Sequence, residues 1–310
     1  MLEQHSPPKV FDRRLLASHR RRAVHGGAIP DFLLQRVADD FVDRLSVINR
    51  SFPKVLNLGA ATGAVSAALA GVVGSDLMIN ADLVGVPAPA DGAVGIVNDE
   101  EALPFADESF DLVVSGLSFQ YINDLPGTLA QIRRILKPDG LLLAAMAGGE
   151  TLSELRQATL QAEAEHCGGA SPRVAPFADV RDLGGLLQRA GFALPVADSD
   201  TVTVTYSSAL DLMRELKAMA ASNVLIERRR VPMTRGLLLR IADVYADRFA
   251  AADGRIRATF EILTMTGWCP HESQQRPLRP GSAAVRLADA LGTEEQAAGD
   301  KIGSGKGETD

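Results

Sequence analysis

The chain has 310 residues, 46% of them hydrophobic, and a formal net charge of −7. That length suits one large domain, or one with an insertion, at roughly 100–200 residues per domain, and the apolar content excludes wholesale disorder. The acidic balance speaks against a general nucleic-acid binder, which presents a basic surface. Two cysteines, Cys167 and Cys269, are too few for a disulfide framework or a zinc motif and read as reduced thiols.

The opening residues hold charges and two prolines but no apolar run, so no signal peptide is expected. Residues 10–25 read as a basic helix with a positive face of Arg13, Arg14, Arg20, Arg21 and Arg22. Such a face is either solvated or a lid that meets an acidic cofactor or partner. Residues 30–49 have helical periodicity through Phe32, Leu33, Val37, Phe41 and Leu45. The stretch 55–75 is uncharged, but Asn57, Gly59, Gly63, Gly71 and Gly74 interrupt it, so it reads as strand, turn and helix rather than as a membrane span.

Strands are expected at 54–58, 77–81, 93–97, 110–115 and 141–147, and helices at 64–73 and 125–136. The second helix should stop at Lys137-Pro138-Asp139-Gly140, because proline cannot continue a helix and glycine takes positive φ. Strands alternating with helices imply a parallel sheet with right-handed crossovers, a doubly wound α/β fold. Further along, helices are expected at 151–167, 179–190, 208–220 and 234–252, with strands at 201–206 and 256–266. Residues 293–310 are polar and Gly-rich and read as a disordered tail.

The chemistry centres on Val55-Leu56-Asn57-Leu58-Gly59-Ala60-Ala61-Thr62-Gly63. A strand ends here in a small-residue turn that opens a helix, and glycine removes the Cβ that would obstruct a ligand. In parallel α/β sheets the crevice beyond the carboxyl ends of the strands is the binding site. Asp82 ends the second strand, about 20 residues after the turn, where a carboxylate accepts ribose hydroxyl protons. Asp99 and Glu100 follow the third strand, within reach of an adenine amine.

The run LPFADESFDLVVSGLSFQYINDLPGTLAQIRRILKPDGLLL resembles class I S-adenosylmethionine-dependent methyltransferases. That resemblance implies a seven-stranded, mostly parallel sheet in the order 3-2-1-4-5-7-6, with N-terminal helices and a helical insertion before the last strand. It implies S-adenosylmethionine as cofactor. Gly59 and Gly63 would flank its methionine end, Asp82 and Leu83 its ribose and Asp99 and Glu100 its adenine, and Ser115 would sit in the floor. Two positions depart from the family pattern. Asn57 stands where an acid is usual, and Ala61 where a glycine is usual. An asparagine still hydrogen-bonds but offers no charge to the cofactor's ammonium, and Ala61 adds a methyl where the backbone should come closest.

The flanks, VFDRRLLASHRRRA, LMRELKAMAASNVLIERRR and TGWCPHESQQRPLRPGSA, resemble the complex I assembly factor 5 family of protein-arginine hydroxylases. The neighbouring malonyl carrier-protein O-methyltransferases share DLMRELKAMAASN. The resemblance implies hydroxylation of an arginine on an iron–sulfur subunit of respiratory complex I during assembly. Two alternatives stand beside it: a conventional methyltransferase acting on a carboxylate or small acid, and a non-catalytic assembly chaperone. The implied layout is an N-terminal lid (1–50), a cofactor-binding core (51–206 with 255–269), a helical cap (207–254) and a C-terminal segment (270–292). Tyr121, Asp124, His271 and Glu272 are the catalytic or substrate-holding candidates, with Glu272 and Arg276 also readable as an ion pair. The five histidines do not form a facial-triad spacing, so no metal is expected. With no transit peptide visible, the sequence reads as a bacterial cytoplasmic protein, near the inner membrane only through its partner.

Overall fold

Strands β1 (Lys54–Leu58), β2 (Leu77–Asp82), β3 (Val94–Val97), β4 (Phe110–Gly116), β5 (Leu136–Ala147), β6 (Ala193–Tyr206) and β7 (Ile256–Trp268) form one sheet. Its order is β3-β2-β1-β4-β5-β7-β6, as the resemblance implied. The first five strands run parallel, and β7 is antiparallel to both β5 and β6. The computed structural model describes residues 9–27, 29–85 and 93–275, together with 286, 288, 289, 292 and 293. The chain divides into two compact units, Met1–His271 and Glu272–Asp310, and the sheet belongs to the first.

The central strands are apolar because both of their faces are covered. Alternate side chains point to opposite layers. On one face Leu56, Leu58, Val113, Leu142 and Ala144 pack with Leu129 and Ile132 of α4 (Leu125–Ile135) and Leu183 and Leu187 of α6 (Val180–Arg189). On the other, Val55, Leu112, Val114, Leu141 and Leu143 meet Val37 and Phe41 of α2 (Phe32–Ser46) and Val65 and Leu69 of α3 (Ala64–Leu69). A third cluster joins α5 (Ser153–Cys167), α7 (Ala209–Ala218) and α8 (Arg235–Phe249) to Tyr206, Ile256 and Phe260. Among the described residues no helix is long and apolar enough to cross a membrane.

Several boundaries differ from expectation. The α4 helix stops at Ile135, but β5 begins at once at Leu136, and Asp139, not Gly140, takes the positive φ of 62°. Strand β6 begins at Ala193 rather than near 201. Its first half has charged and exposed residues because it is the sheet edge, so the Thr/Val alternation marked only its second half. The expected tail lies outside the described residues apart from Thr293.

Candidate cofactor and active site

The loops after β1, β2 and β3 meet at one edge of the sheet. The Gly59 N–H donates to the Ala81 carbonyl at 2.8 Å, and Asn98 N–H donates to the Asp82 carbonyl at 2.8 Å. Gly59 has φ 72°, and a Cβ there would lie 2.2 Å from Ser118 Cβ. The glycine is therefore required by the close approach of Ser118 as well as by the turn.

Asp82 is fully buried. One carboxylate oxygen accepts from Val84 N at 3.1 Å and the other from Arg20 Nη1 at 2.9 Å. Arg20 also approaches Glu100 Oε1 at 3.4 Å and donates through Nη2 to Ser118 Oγ at 3.0 Å. The Ser118 hydroxyl donates to Glu100 Oε1 at 2.6 Å. Arg13 Nη2 bonds Asp99 Oδ1 at 2.6 Å and also the second oxygen of Glu100. Burial pushes Asp82 above the usual carboxylate range, and the neighbouring Glu100 charge adds to this against the pull of Arg20. Glu100 feels the same burial, but Arg20, Arg13 and the Ser118 hydroxyl together hold it below its ordinary value.

Both arginines come from α1 (Arg13–His25). Arg13, Leu16, Ala17 and Arg20 are spaced i, i+3, i+4, i+7, which makes them one helical stripe. Leu16, Ala17 and Arg20 are buried. The start of α1 is fixed by several bonds. Val10 N and Phe11 N both donate to Asn123 Oδ1 at 2.8 Å, Asp12 N donates to Val224 O at 2.8 Å, and Asp12 caps Leu15 N at 3.0 Å.

Beside this charged cluster lies a cavity of about 190 Å³, lined by Gly59, Ala61, Thr62, Arg20 and Tyr121, with an apolar wall that includes Leu33, Phe177 and Phe260. Asp31 and Glu261 are its carboxylates. Tyr121 packs edge-on against Phe11, ring centroids 6.1 Å apart, and burial raises its phenol above the ordinary value, against the charge of Arg20. Leu117, Leu152 and Ala220 line the same cavity with φ of 51°, 54° and 61°. Left-handed backbone at non-glycine residues costs roughly 1–3 kcal/mol and concentrates at functional sites.

Comparisons with known proteins bear on this site. A family described as Methyltransferase domain matches residues 32–195. A zebrafish (Danio rerio) protein named arginine-hydroxylase NDUFAF5, mitochondrial, is 40% identical over 291 residues, covering 90% of this chain and 89% of its own. The human protein of the same name is also 40% identical, covering 90% of this chain and 83% of its own. This chain belongs to the arginine-hydroxylase family of the methyltransferase superfamily. A malonyl-[acyl-carrier protein] O-methyltransferase of Methylovorus sp. is a further relative, 34% identical over 77% of this chain and 83% of its own. Among solved structures, YcgJ of Bacillus subtilis shares the fold at a TM-score of 0.51 and 13% identity, covering 76% of this chain and 99% of its own. The superfamily binds S-adenosylmethionine as a class. The arginine-hydroxylase relatives are named as mitochondrial, which overturns the expectation of a bacterial cytoplasmic protein.

Membership of the arginine-hydroxylase family puts the expected site residues in context. Gly59, Ala61 and Gly63 form the turn, and Gly63 sits at the N-cap of α3 with φ 72°. Leu83 packs with Phe11, Leu16 and Tyr121. Asp82, Asp99 and Glu100 are brought together, but each meets an arginine of α1. Asn57 faces inward instead. Its amide donates to Asn80 Oδ1 at 3.0 Å, and Asn80 donates to Ser66 Oγ at 3.0 Å, so this buried relay suits a neutral amide. The Ser115 hydroxyl is buried and has no partner among the described residues.

Asp124 caps α4, accepting from Gly127 N at 2.9 Å, so its carboxylate has a structural partner. The expected approach of His271 to the crevice is not observed. Trp268 pairs with Leu141 and Cys269 N donates to Gly140 O at 2.8 Å, so the backbone leaves β7 where the parallel strands begin. The crevice lies where they end, about 20 Å away along seven residues of strand. Glu272 begins the second unit, and its expected partner Arg276 lies outside the described residues. Sequence reasoning missed Arg13, Arg20 and Ser118 as site residues. The available signal was the position of the two arginines within an otherwise apolar helical stripe.

Proposed function

We propose that this protein binds S-adenosylmethionine in the crevice beside Gly59 and hydroxylates an arginine of an iron–sulfur subunit of respiratory complex I during assembly. The observation that carries this reading is the convergence of three strand-end loops on one acidic cradle, in a protein 40% identical to named arginine hydroxylases over 90% of its length. The residues fit the cofactor. The Gly59–Gly63 turn carries no large side chain, Asp82 offers acceptors for ribose hydroxyls, and Leu83, Asp99 and Glu100 border an adenine site. The unpartnered Ser115 hydroxyl is available in the floor. The bound cofactor supplies a sulfonium-activated methyl group.

The protein's own residues do the rest. Asp31 and Glu261 are the cavity carboxylates able to hold a guanidinium through charge-assisted bonds, a role the sequence pattern had suggested for Asp124 and Glu272. Tyr121, kept protonated by burial, can donate a hydrogen bond into the cavity. Hydroxylation converts one C–H bond of the substrate arginine to C–OH. One atom of dioxygen enters the product, and the other leaves as water with two protons and two electrons from an external two-electron donor.

Mass spectrometry of the iron–sulfur subunit, with and without this protein, tests the reading. One added oxygen on an arginine is expected. An added methyl favours the conventional transferase, and an unmodified subunit that still assembles favours the chaperone. Methyl transfer to a carboxylate or small acid is not favoured, because the O-methyltransferase relative is less similar and matches less of the sequence.

A further inference from the structure

We infer that α1 occupies the ribose subsite in cis, with Arg20 as the occupant, and that α1 in this position and the adenosyl cofactor bind mutually exclusively. The inference rests on the cofactor reading above. Asp82 has no exposed surface, and Arg20 covers the carboxylate oxygen that Val84 leaves available. A ribose would need the same oxygen. Glu100, at the adenine side, is likewise engaged on one oxygen by Arg20 and Ser118 and on the other by Arg13. A guanidinium and a vicinal diol both present paired donors to a carboxylate, so each satisfies the cradle in the absence of the other. The open space left beside Gly59, about 190 Å³, is below the roughly 300–1,000 Å³ of small-molecule sites.

The helix is built to swing rather than to unfold. Its start is tied to Asn123 and Val224 through backbone bonds that do not involve the cradle. Its end runs into Gly26 and Gly27, the latter at φ 109°. Between these points, the buried face is tied to the cradle by the ion pairs and hydrogen bonds of Arg13 and Arg20. Cofactor binding therefore exchanges those pairs for ribose and adenine contacts and exposes the α1 stripe.

Two measurements on the full-length protein test this. In wild type, amide exchange across residues 13–25 is expected to speed up when S-adenosylmethionine saturates the protein. By calorimetry, Arg20→Gln is expected to bind S-adenosylmethionine about tenfold more tightly or better, because the competent population no longer has to win against α1. If wild type binds but α1 exchange is unchanged or slowed, or if Arg20→Gln binds more weakly, Arg20 is a cofactor contact and the inference falls while the cofactor reading stands. If neither protein binds, the cofactor reading falls and the inference falls with it. The wild-type exchange experiment decides the matter even if the variant does not fold.

Discussion

The two sides of the crevice are built on different physical terms. On the ribose side the polar groups are dry and paired: Asp82, Glu100 and Ser118 close around Arg20. On the other side the wall is largely apolar, with Leu33, Phe177 and Phe260 around free volume, and the backbone is strained at Leu117, Leu152 and Ala220. One side is completed by the protein itself, and the other is left for something else to fill. A buried charge cluster tolerates no unmatched member, whereas an apolar cavity tolerates emptiness, so substitutions on the two sides should differ sharply in cost.

The largest effect is expected from Arg20→Ala. Removing one partner of a buried pair typically destabilises by about 3–5 kcal/mol. Here Asp82 loses the only cation paired with it among the described residues. The value should fall near the lower end, since Asp82, already pushed upward by burial, can take up a proton. Asp82→Asn should cost much less, about 1 kcal/mol, because Arg20 keeps Glu100 and Ser118. Urea denaturation of the two variants checks the asymmetry, and equal costs would mean that the cluster is not organised around Arg20.

Gly59→Ala comes next, at about 2–4 kcal/mol. A left-handed non-glycine residue costs roughly 1–2 kcal/mol, and overpacking adds roughly 1–3 kcal/mol. A Cβ at Gly59 would stand 2.2 Å from Ser118 Cβ and 2.4 Å from Ser118 Oγ. Pairing it with Ser118→Gly should recover the clash but not the backbone term, which denaturant midpoints can separate.

The same residue shows how far the sequence could be read. The small-residue turn, the acids that end β2 and follow β3, and the sheet order were legible, because turn chemistry and strand alternation are local or family-wide signals. What pressed on Gly59 was not, because Ser118 lies 59 positions away in the sequence. Arg20 was read as one of five residues on a positive face, since composition cannot distinguish a solvated arginine from one facing a buried carboxylate. Asn57 looked like a weakened cofactor ligand until its partner Asn80 came into view on the neighbouring strand. His271 was assigned to the crevice by motif, but the antiparallel direction of β7 carries it to the opposite edge. In each case the missing information was a long-range contact.

Acidification should affect the ribose side in a defined order. Glu100 is held below its ordinary value of 4.5, so its contribution to stability is present above 4.5 and is lost as pH falls through the lowered value. Asp82 has the opposite sign. Its folded value is raised from 3.8, so its contribution is fully present below 3.8 and is lost as pH rises through the raised value. The first contacts of the cluster to fail on acidification should therefore be those of Glu100 to Arg13 and Arg20. Amide exchange of residues 13–25 between pH 6 and 3 should accelerate only below about 4.5. Acceleration beginning well above that would mean Glu100 is not the group that holds α1.

The smallest effect is expected from an ion pair of similar length in a different setting. Arg36 and Asp200 approach to 2.7 Å with side chains 54% and 53% exposed, whereas Arg20 and Asp82 stand at 2.9 Å with 8% and 0% exposed. Separation is nearly the same in the two pairs, so any difference in their worth comes from solvent. Water and salt screen the exposed pair, and the ordering of two long side chains offsets much of what remains, leaving about 0–1 kcal/mol. Arg36→Ala should thus move stability by less than a third of Arg20→Ala, and the small change should shrink further in 1 M salt. A cost at Arg36 matching that at Arg20 would show that pairing distance, not burial, sets the energy of the α1 contact.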